Sequence, residues 1–418
     1  MDPNVVRALQ RAIAAFLVTF VVGSGVVFAM NAAGDDGTDA ANPTPSESPG
    51  APGDGGTSAT TPNAYLLWIP EGFPTSVGEE LTTIARVRRV AVAAAGVGWL
   101  TRSVDDDGEV VDAPESPFMV PLEITGADPG AFASFLPPGE QRDLIRALAS
   151  DQVILSASAA KRRGLGPGAR LEFGELDLEV AGVVPDVLIG GYEALVTRAT
   201  AEALGAIPRY ALLGMRKGAT PTAERLTADV VELIEGDVRD PAVEVRAPGE
   251  TELLRAYDRS LPPSALKRRF GEFTAYPISN TSLDIDDAWV EENIESREVP
   301  RLGTVSCHRK TLFLLRKAMA EVPIDTDLGD VGECYDTTWT PSMPQGTLPA
   351  ALWGASIRLH VSVNTPGNPP LLDGRVVETM AAWGFRWAGL DAYPDGSLFE
   401  YLQPPPRDGG DGAPSPTD

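Results

Sequence analysis

The sequence predicts an α+β protein of two folded domains held behind one N-terminal transmembrane helix. Three features carry this reading. An uncharged, mostly apolar stretch runs from Ala12 to about Met30; the segment after it offers no large apolar residue to bury; short β-branched runs then alternate with amphipathic helical stretches. With 418 residues, 43% of them hydrophobic, the chain has the length and apolar content for two cores.

The apolar stretch is long enough to cross a bilayer, which takes about 20 helical residues. Arg7 and Arg11 precede it and Asp35 and Asp36 follow, an order that places the N-terminus in the cytoplasm and the remainder outside. A cleaved signal peptide ending near Ala32 and Ala33 is the rival reading, although the run exceeds the roughly 7–15 residues of a signal core. Both export the chain. The expectation is a single-pass cell-membrane protein with its bulk extracytoplasmic. Residues 1–33 form the anchor, and residues 34–63 and 404–418, rich in Gly, Pro, Ser, Thr and Asp, a disordered linker and tail.

The formal net charge of -25 excludes an electrostatic grip on nucleic acid. The chain has only two histidines, His308 and His360, and two cysteines, Cys307 and Cys334, so zinc fingers, CxxC redox pairs and HExxH helices are absent.

In the first domain, 64–248, strands are expected at Tyr65 to Ile69, Arg88 to Gly96, Met119 to Ile124, Ala169 to Phe173 and Leu176 to Val184. Ala219 to Gly236 is expected to be helical, with Leu226, Val230, Leu233 and Ile234 on one face. Gly164, Gly166 and Gly168 read as a tight turn. A strand follows them, so the helix N-terminus that binds phosphate is missing. The stretch DQVILSASAAKRRGLGPGARLEFGELDLEVAGVVPD, Asp151 to Asp186, resembles the extracytoplasmic domain of MacB/FtsX-type ABC permeases in its strand, short helix, GL-x-x-G turn and hairpin. The resemblance implies protein contact or force transmission outside the membrane. Without permease helices it does not imply transport.

A connecting segment is expected at 249–292 and a second domain at 293–403. There EVPRLGTVSCHRKTLFLLRKAMAEV, GECYDTTW, LWGASIRLHVSVNTPGNPP, DGRVVETMAAWGFRWAG and YPDGSLFEYL follow one another in the order and spacing of VanY-type zinc D-alanyl-D-alanine carboxypeptidases. Helices are expected over Lys310 to Val322 and, capped by Asp373, over Arg375 to Trp383. Ala355 to Val361 alternates as a strand, with Ser356, Arg358 and His360 sharing one face.

The resembled enzymes hold zinc with HxxGxAxD and a later HFE, leaving one position for water. Laid on Trp353-Gly354, the pattern puts Ala351, Arg358 and Leu398 at the three ligand positions. None can donate a lone pair to the metal, and Arg358 sets a positive charge where a dication would sit. No cofactor is therefore expected. Thr338 stands where the family carries a substrate-positioning arginine, while Asp395 keeps the general-base position with no metal-bound water to activate. The candidate ligand-binding set is Arg358, His360, Asp395 and Glu400. Two roles are open to Arg358: gripping a peptide carboxylate, or pairing internally with Asp395 or Glu400. His360 occupies a position where the family packs an asparagine against the strand end.

His308 reads as a surface or capping residue. A Cys307/His308 nucleophilic pair is disfavoured, because neighbours on a strand face opposite ways. Both cysteines lie in the exported domain, so a Cys307–Cys334 disulfide is expected, worth about 3 to 4 kcal/mol. The leading functional expectation is an inactive carboxypeptidase-like envelope protein that binds a peptidoglycan stem peptide or an envelope protein. The alternatives are an active zinc peptidase with unexpected ligands and a scaffold for a permease or wall-synthesis complex.

Overall fold

The computed structural model describes residues 64–403 apart from 75, 235–239, 247–252, 256–260, 280 and 340–347. The expected anchor, linker and tail lie outside the described residues. Among those described, no helix is long and apolar enough to cross a membrane.

The first module is built on a mixed eleven-stranded sheet. In chain order its strands are β1 (Ala64–Trp68), β2 (Val87–Leu100), β3 (Arg102–Val104), β4 (Val110–Asp112), β5 (Val120–Ala127), β6 (Gln152–Ser156), β7 (Arg170–Phe173), β8 (Leu176–Val184), β9 (Ala194–Thr197), β10 (Ile207–Met215) and β11 (Ala242–Arg246). They lie in the order β11-β1-β10-β2-β5-β9-β6-β8-β7-β3-β4. Only β5/β9 and β6/β8 pair in parallel. The helices are α1 (Val77–Thr82), α2 (Pro129–Ala133), α3 (Glu140–Ala147), α4 (Ala157–Arg163), α5 (Arg198–Ala203) and α6 (Ala223–Leu233).

Both faces of the sheet are covered, which is why β1 reads as an unbroken apolar run. Tyr65 and Leu67 pack with Val77 and Leu81 of α1 and Leu226 and Val230 of α6. Leu66 and Trp68 meet Phe132, Phe135 and Leu136 on the opposite face. Gly126 lets α5 close on β5, since a Cβ there would lie 2.3 Å from the Ala201 methyl. The glycine turn ends α4 with Gly164 in the left-handed region and leads into β7. Helix α6 starts later than its periodicity suggests, because Thr222 supplies the cap and accepts from Arg225 N at 3.3 Å.

The second module begins with α7 (Pro263–Phe270) and continues through β12 (Ala275–Ser279), β13 (Ser282–Ile285), α8 (Asp287–Asn293), β14 (Ile294–Val299), β15 (Gly303–His308), α9 (Arg309–Glu321), β16 (Ser356–Arg358), α10 (Gly374–Ala382), β17 (Phe385–Trp387) and β18 (Leu398–Tyr401). Residues 263–292, expected to connect two domains, contribute Leu266, Phe270, Leu283, Ile285 and Trp289 to the same core as Leu312, Leu315, Trp353, Ile357, Met380 and Phe399. Val97 of β2 belongs to this cluster as well, so the core runs on from the sheet into the second module.

Helix α10 is capped by Asp373, which accepts from Arg375 N at 2.9 Å, and Gly384 follows in the left-handed region. The disulfide forms: Cys307 and Cys334 are joined, with Cα atoms 5.2 Å apart, and both are buried. One element differs from its pattern. The strand expected over Ala355 to Val361 ends at Arg358, because His360 takes φ 55 and the backbone changes partners: Leu359 N donates to Ser397 O and His360 N to Leu328 O.

Candidate functional site

Strands β16, β18 and β17 form a small sheet in which Arg358 faces Leu398 across the ladder and Ser356 faces Glu400. Two of the three positions that the carboxypeptidase pattern would assign to a metal are therefore a direct cross-strand pair. The third, Ala351, sits in the 3-10 turn Ala350–Trp353 just before β16, where its carbonyl accepts from Asp336 N at 3.2 Å. Gly354 closes that turn at φ 59, and a Cβ there would lie 2.4 Å from His308 N. The backbone approach fixes the start of β16 against β15.

At this sheet's edge, Arg358 Nη1 donates to Asp395 Oδ2 at 2.6 Å and to Ser397 Oγ at 3.0 Å. Asp395 Oδ1 also accepts from Ser397 N at 3.1 Å and Ser397 Oγ at 2.7 Å. The carboxylate that matches a general base is thus engaged on both oxygens, one of them by a guanidinium. Glu400 lies beside this pair, with Arg386 Nη1 at 3.5 Å from Oε2, and Arg386 also pairs with Asp391. Burial raises the Glu400 carboxyl above its ordinary range, opposed by Arg386 and Arg358 and reinforced by Asp395.

Arg358, Asp395 and Glu400 are brought together, but His360 is not. It turns away after β16, places Nε2 3.4 Å from Asp327 Oδ2 and packs on Gly329. The reading of His360 on the Arg358 face is corrected by the left-handed backbone at His360 itself. His308 caps α9: its Nδ1 accepts from Lys310 N at 3.1 Å, and its ring meets Phe270 edge-on at 4.8 Å. Burial, helped by the Lys310 charge, lowers its pKa to about 4, so the ring is neutral at ordinary pH. Thr338 bridges Ser282, and its N–H is held by Asp336.

Zinc does not fit the three positions that the carboxypeptidase pattern assigns to it. Ala351 and Leu398 carry no donor atoms, and Arg358 brings a fixed cation already paired to the neighbouring carboxylate. Among the described residues no group of three or more His, Cys, Asp or Glu could hold a metal elsewhere.

A second charged constellation has no counterpart in the sequence reading. Lys267 of α7 projects into the first module, donating to Pro121 O at 2.5 Å, Glu193 Oε2 at 2.7 Å and Glu272 Oε1 at 2.8 Å. Glu193 also takes Arg162 Nη1 at 3.0 Å, while Arg163 reaches Glu272 at 2.8 Å and Asp112 at 3.2 Å. Nearby, Arg255 Nη2 donates to Glu123 Oε2 at 2.7 Å and stacks on Tyr192. Glu123, Glu193 and Lys267 are almost fully buried. Burial pushes Glu123 up to about 7 against the pull of Arg255; Lys267 and Arg163 outweigh burial at Glu272 and hold it at about 2. The cluster joins α7 to β5, α4 and the residue just before β9. Only spatial proximity reveals it, since its members lie more than a hundred positions apart in pairs such as Arg163 and Glu272.

No family model and no curated protein matches the chain. Solved structures do. The periplasmic region of MacB from Actinobacillus actinomycetemcomitans is similar at 14% identity, covering 44% of this chain and 89% of that one, with a TM-score of 0.30. A domain of a putative permease protein from Porphyromonas gingivalis is similar at 14% identity over 46% of this chain and 92% of its own, TM-score 0.30. The extracellular domain of the noncanonic ABC-type transporter YknZ from Gram-positive bacteria is similar at 14% identity over 44% and 99%, TM-score 0.27.

Proposed function

We propose that this chain is a non-catalytic, membrane-anchored scaffold of the cell envelope, working as a component of a protein complex outside the membrane. The observation that carries this reading is the Arg358–Asp395 pair at 2.6 Å, set where a zinc peptidase would need a metal and a free base. An arginine in that place compensates the remaining carboxylate by charge and keeps the small sheet intact without chemistry. The Lys267 cluster supports the scaffold role, because a buried ionic joint resists relative motion of two modules that would otherwise move on a simple apolar contact.

Arg358 keeps about a third of its side chain exposed, at 37%, which favours one narrower form of the proposal. A peptide carboxylate, from a peptidoglycan stem or a protein tail, could share that guanidinium with Asp395. Crosslinking in the native membrane, with photoreactive residues beside Arg358 and on the exposed face of α9, tests the scaffold reading. The expected result is one reproducible protein adduct. Hydrolysis of stem peptides by the purified chain, abolished by Asp395→Ala, would overturn it.

A further inference from the structure

The sheet has one strongly basic end, and nothing in the proposed site uses it. Arg86 precedes β2, Arg88 and Arg89 lie at its start, and Arg216 and Lys217 follow β10 directly. Pairing of Val87 with Met215 and of Arg89 with Gly214 brings the two groups to one edge, where Arg216 N also donates to Arg86 O at 2.9 Å. Arg89 is committed inward, donating to Ser134 O and stacking on Phe135. The other four are exposed. Among the described residues no ion pair reaches them. Arg88, Arg216 and Lys217, with Thr82 and Val87, line an open cleft of ≈ 520 Å³.

Four exposed cations at one end of the sheet, three of them lining one cleft, are conspicuous in a chain whose formal net charge is -25. Their place in the topology identifies a partner. Ala64, the first residue of β1, pairs with Gly214, which in turn pairs with Arg89. The chain therefore enters the sheet at the same end that carries the cations, and from that end it leads back to the apolar stretch Ala12 to Met30.

We propose that this basic end is a docking surface for the phosphate headgroups of an anionic lipid bilayer, seating the sheet upright on the membrane that tethers it. The inference rests on the anchored reading given above. Each cation near an anionic surface strengthens its docking by roughly fivefold, so the three that line the cleft together favour the docked state by about a hundredfold. Arg88 and Arg216 supply donors suited to phosphate oxygens, and the guanidinium fork binds them in pairs. The attraction is surface electrostatics and weakens with salt over a Debye length of about 8 Å.

The test uses the full chain reconstituted in bilayers of phosphatidylcholine alone or mixed with phosphatidylglycerol, followed by amide hydrogen exchange. Exchange across Thr82 to Arg89 and Gly214 to Lys217 is expected to slow severalfold in the mixed bilayer only. That protection should vanish in Arg88→Glu/Arg216→Glu/Lys217→Glu but persist in Arg309→Glu/Arg316→Glu/Lys317→Glu, which makes the same change of charge on α9. The milder Arg216→Gln/Lys217→Gln, on exposed side chains, should lose most of it with the fold unchanged by circular dichroism. Equal exchange in both bilayers overturns the proposal. So does protection by inorganic phosphate in neutral bilayers at matched ionic strength, which would make the cleft a site for the free ion. Failure of the chain to stay with either bilayer is a separate outcome that counts against the anchor, and with it against the docking surface.

Discussion

Replacing Lys267 by methionine keeps most of the stem packed and deletes one buried ammonium. In the intact chain that ammonium holds Pro121 O at 2.5 Å, Glu193 at 2.7 Å and Glu272 at 2.8 Å, with no measurable exposure of its side chain. Breaking a buried pair from one side generally costs about 3–5 kcal/mol, because the opposite charge is left without compensation. Here Glu193 retains Arg162 and the Glu123 N–H, and Glu272 retains Arg163, so the lower end applies, about 3 kcal/mol. Urea unfolding of the full chain reads the change as a shift of midpoint at constant slope. Adding Glu193→Gln to Lys267→Met lowers the excess negative charge left in the cluster and should recover part of the loss. A cost below about 1 kcal/mol, the value of an exposed ion pair, would refute the view that the two modules are joined through this cluster.

Two further outcomes follow from the second module. The His308 ring titrates at about 4 when folded and near 6.5 when unfolded, so between those values the unfolded chain binds more protons and stability rises with pH. As pH falls from about 6.5 towards 4, wild type should lose about 3 kcal/mol relative to His308→Asn, which keeps a capping side chain; a flat difference curve in urea titrations would contradict this. Reducing the Cys307–Cys334 bridge, which spans a sequence separation of 27, should cost about 3 to 4 kcal/mol, measured as a lower unfolding midpoint with reductant; an unchanged midpoint would show that the loop is already held by its packing.

Much of the fold was legible because hydrophobic runs and caps act locally. The β8 run Leu176 to Val184 and the α10 cap Asp373 need only their own neighbours to be recognised. The strand that stopped early illustrates the opposite case. Alternation continues through Val361, but the turn at His360 is set by Leu328 and Ser397, which sequence proximity cannot supply. Lys267-Arg268-Arg269 lies in the segment expected to connect the two domains, and its residue types suit the helix C-terminus where they stand. One of the three is instead buried among carboxylates from distant strands. At the candidate site, Arg358 was found through a motif, and its choice of Asp395 over Glu400 is a matter of register: Arg358 opposes Leu398, which leaves the loop before β18 within its reach.

We propose that the second module resembles a zinc carboxypeptidase framework with Ala351, Arg358 and Leu398 in place of the ligands, and the most direct test is to restore them. Zinc titration calorimetry on the full chain should find no stoichiometric site in wild type and one in Ala351→His/Arg358→Asp/Leu398→His. Stoichiometric zinc in wild type, or a restored variant that folds yet binds no more zinc than wild type, would contradict the account.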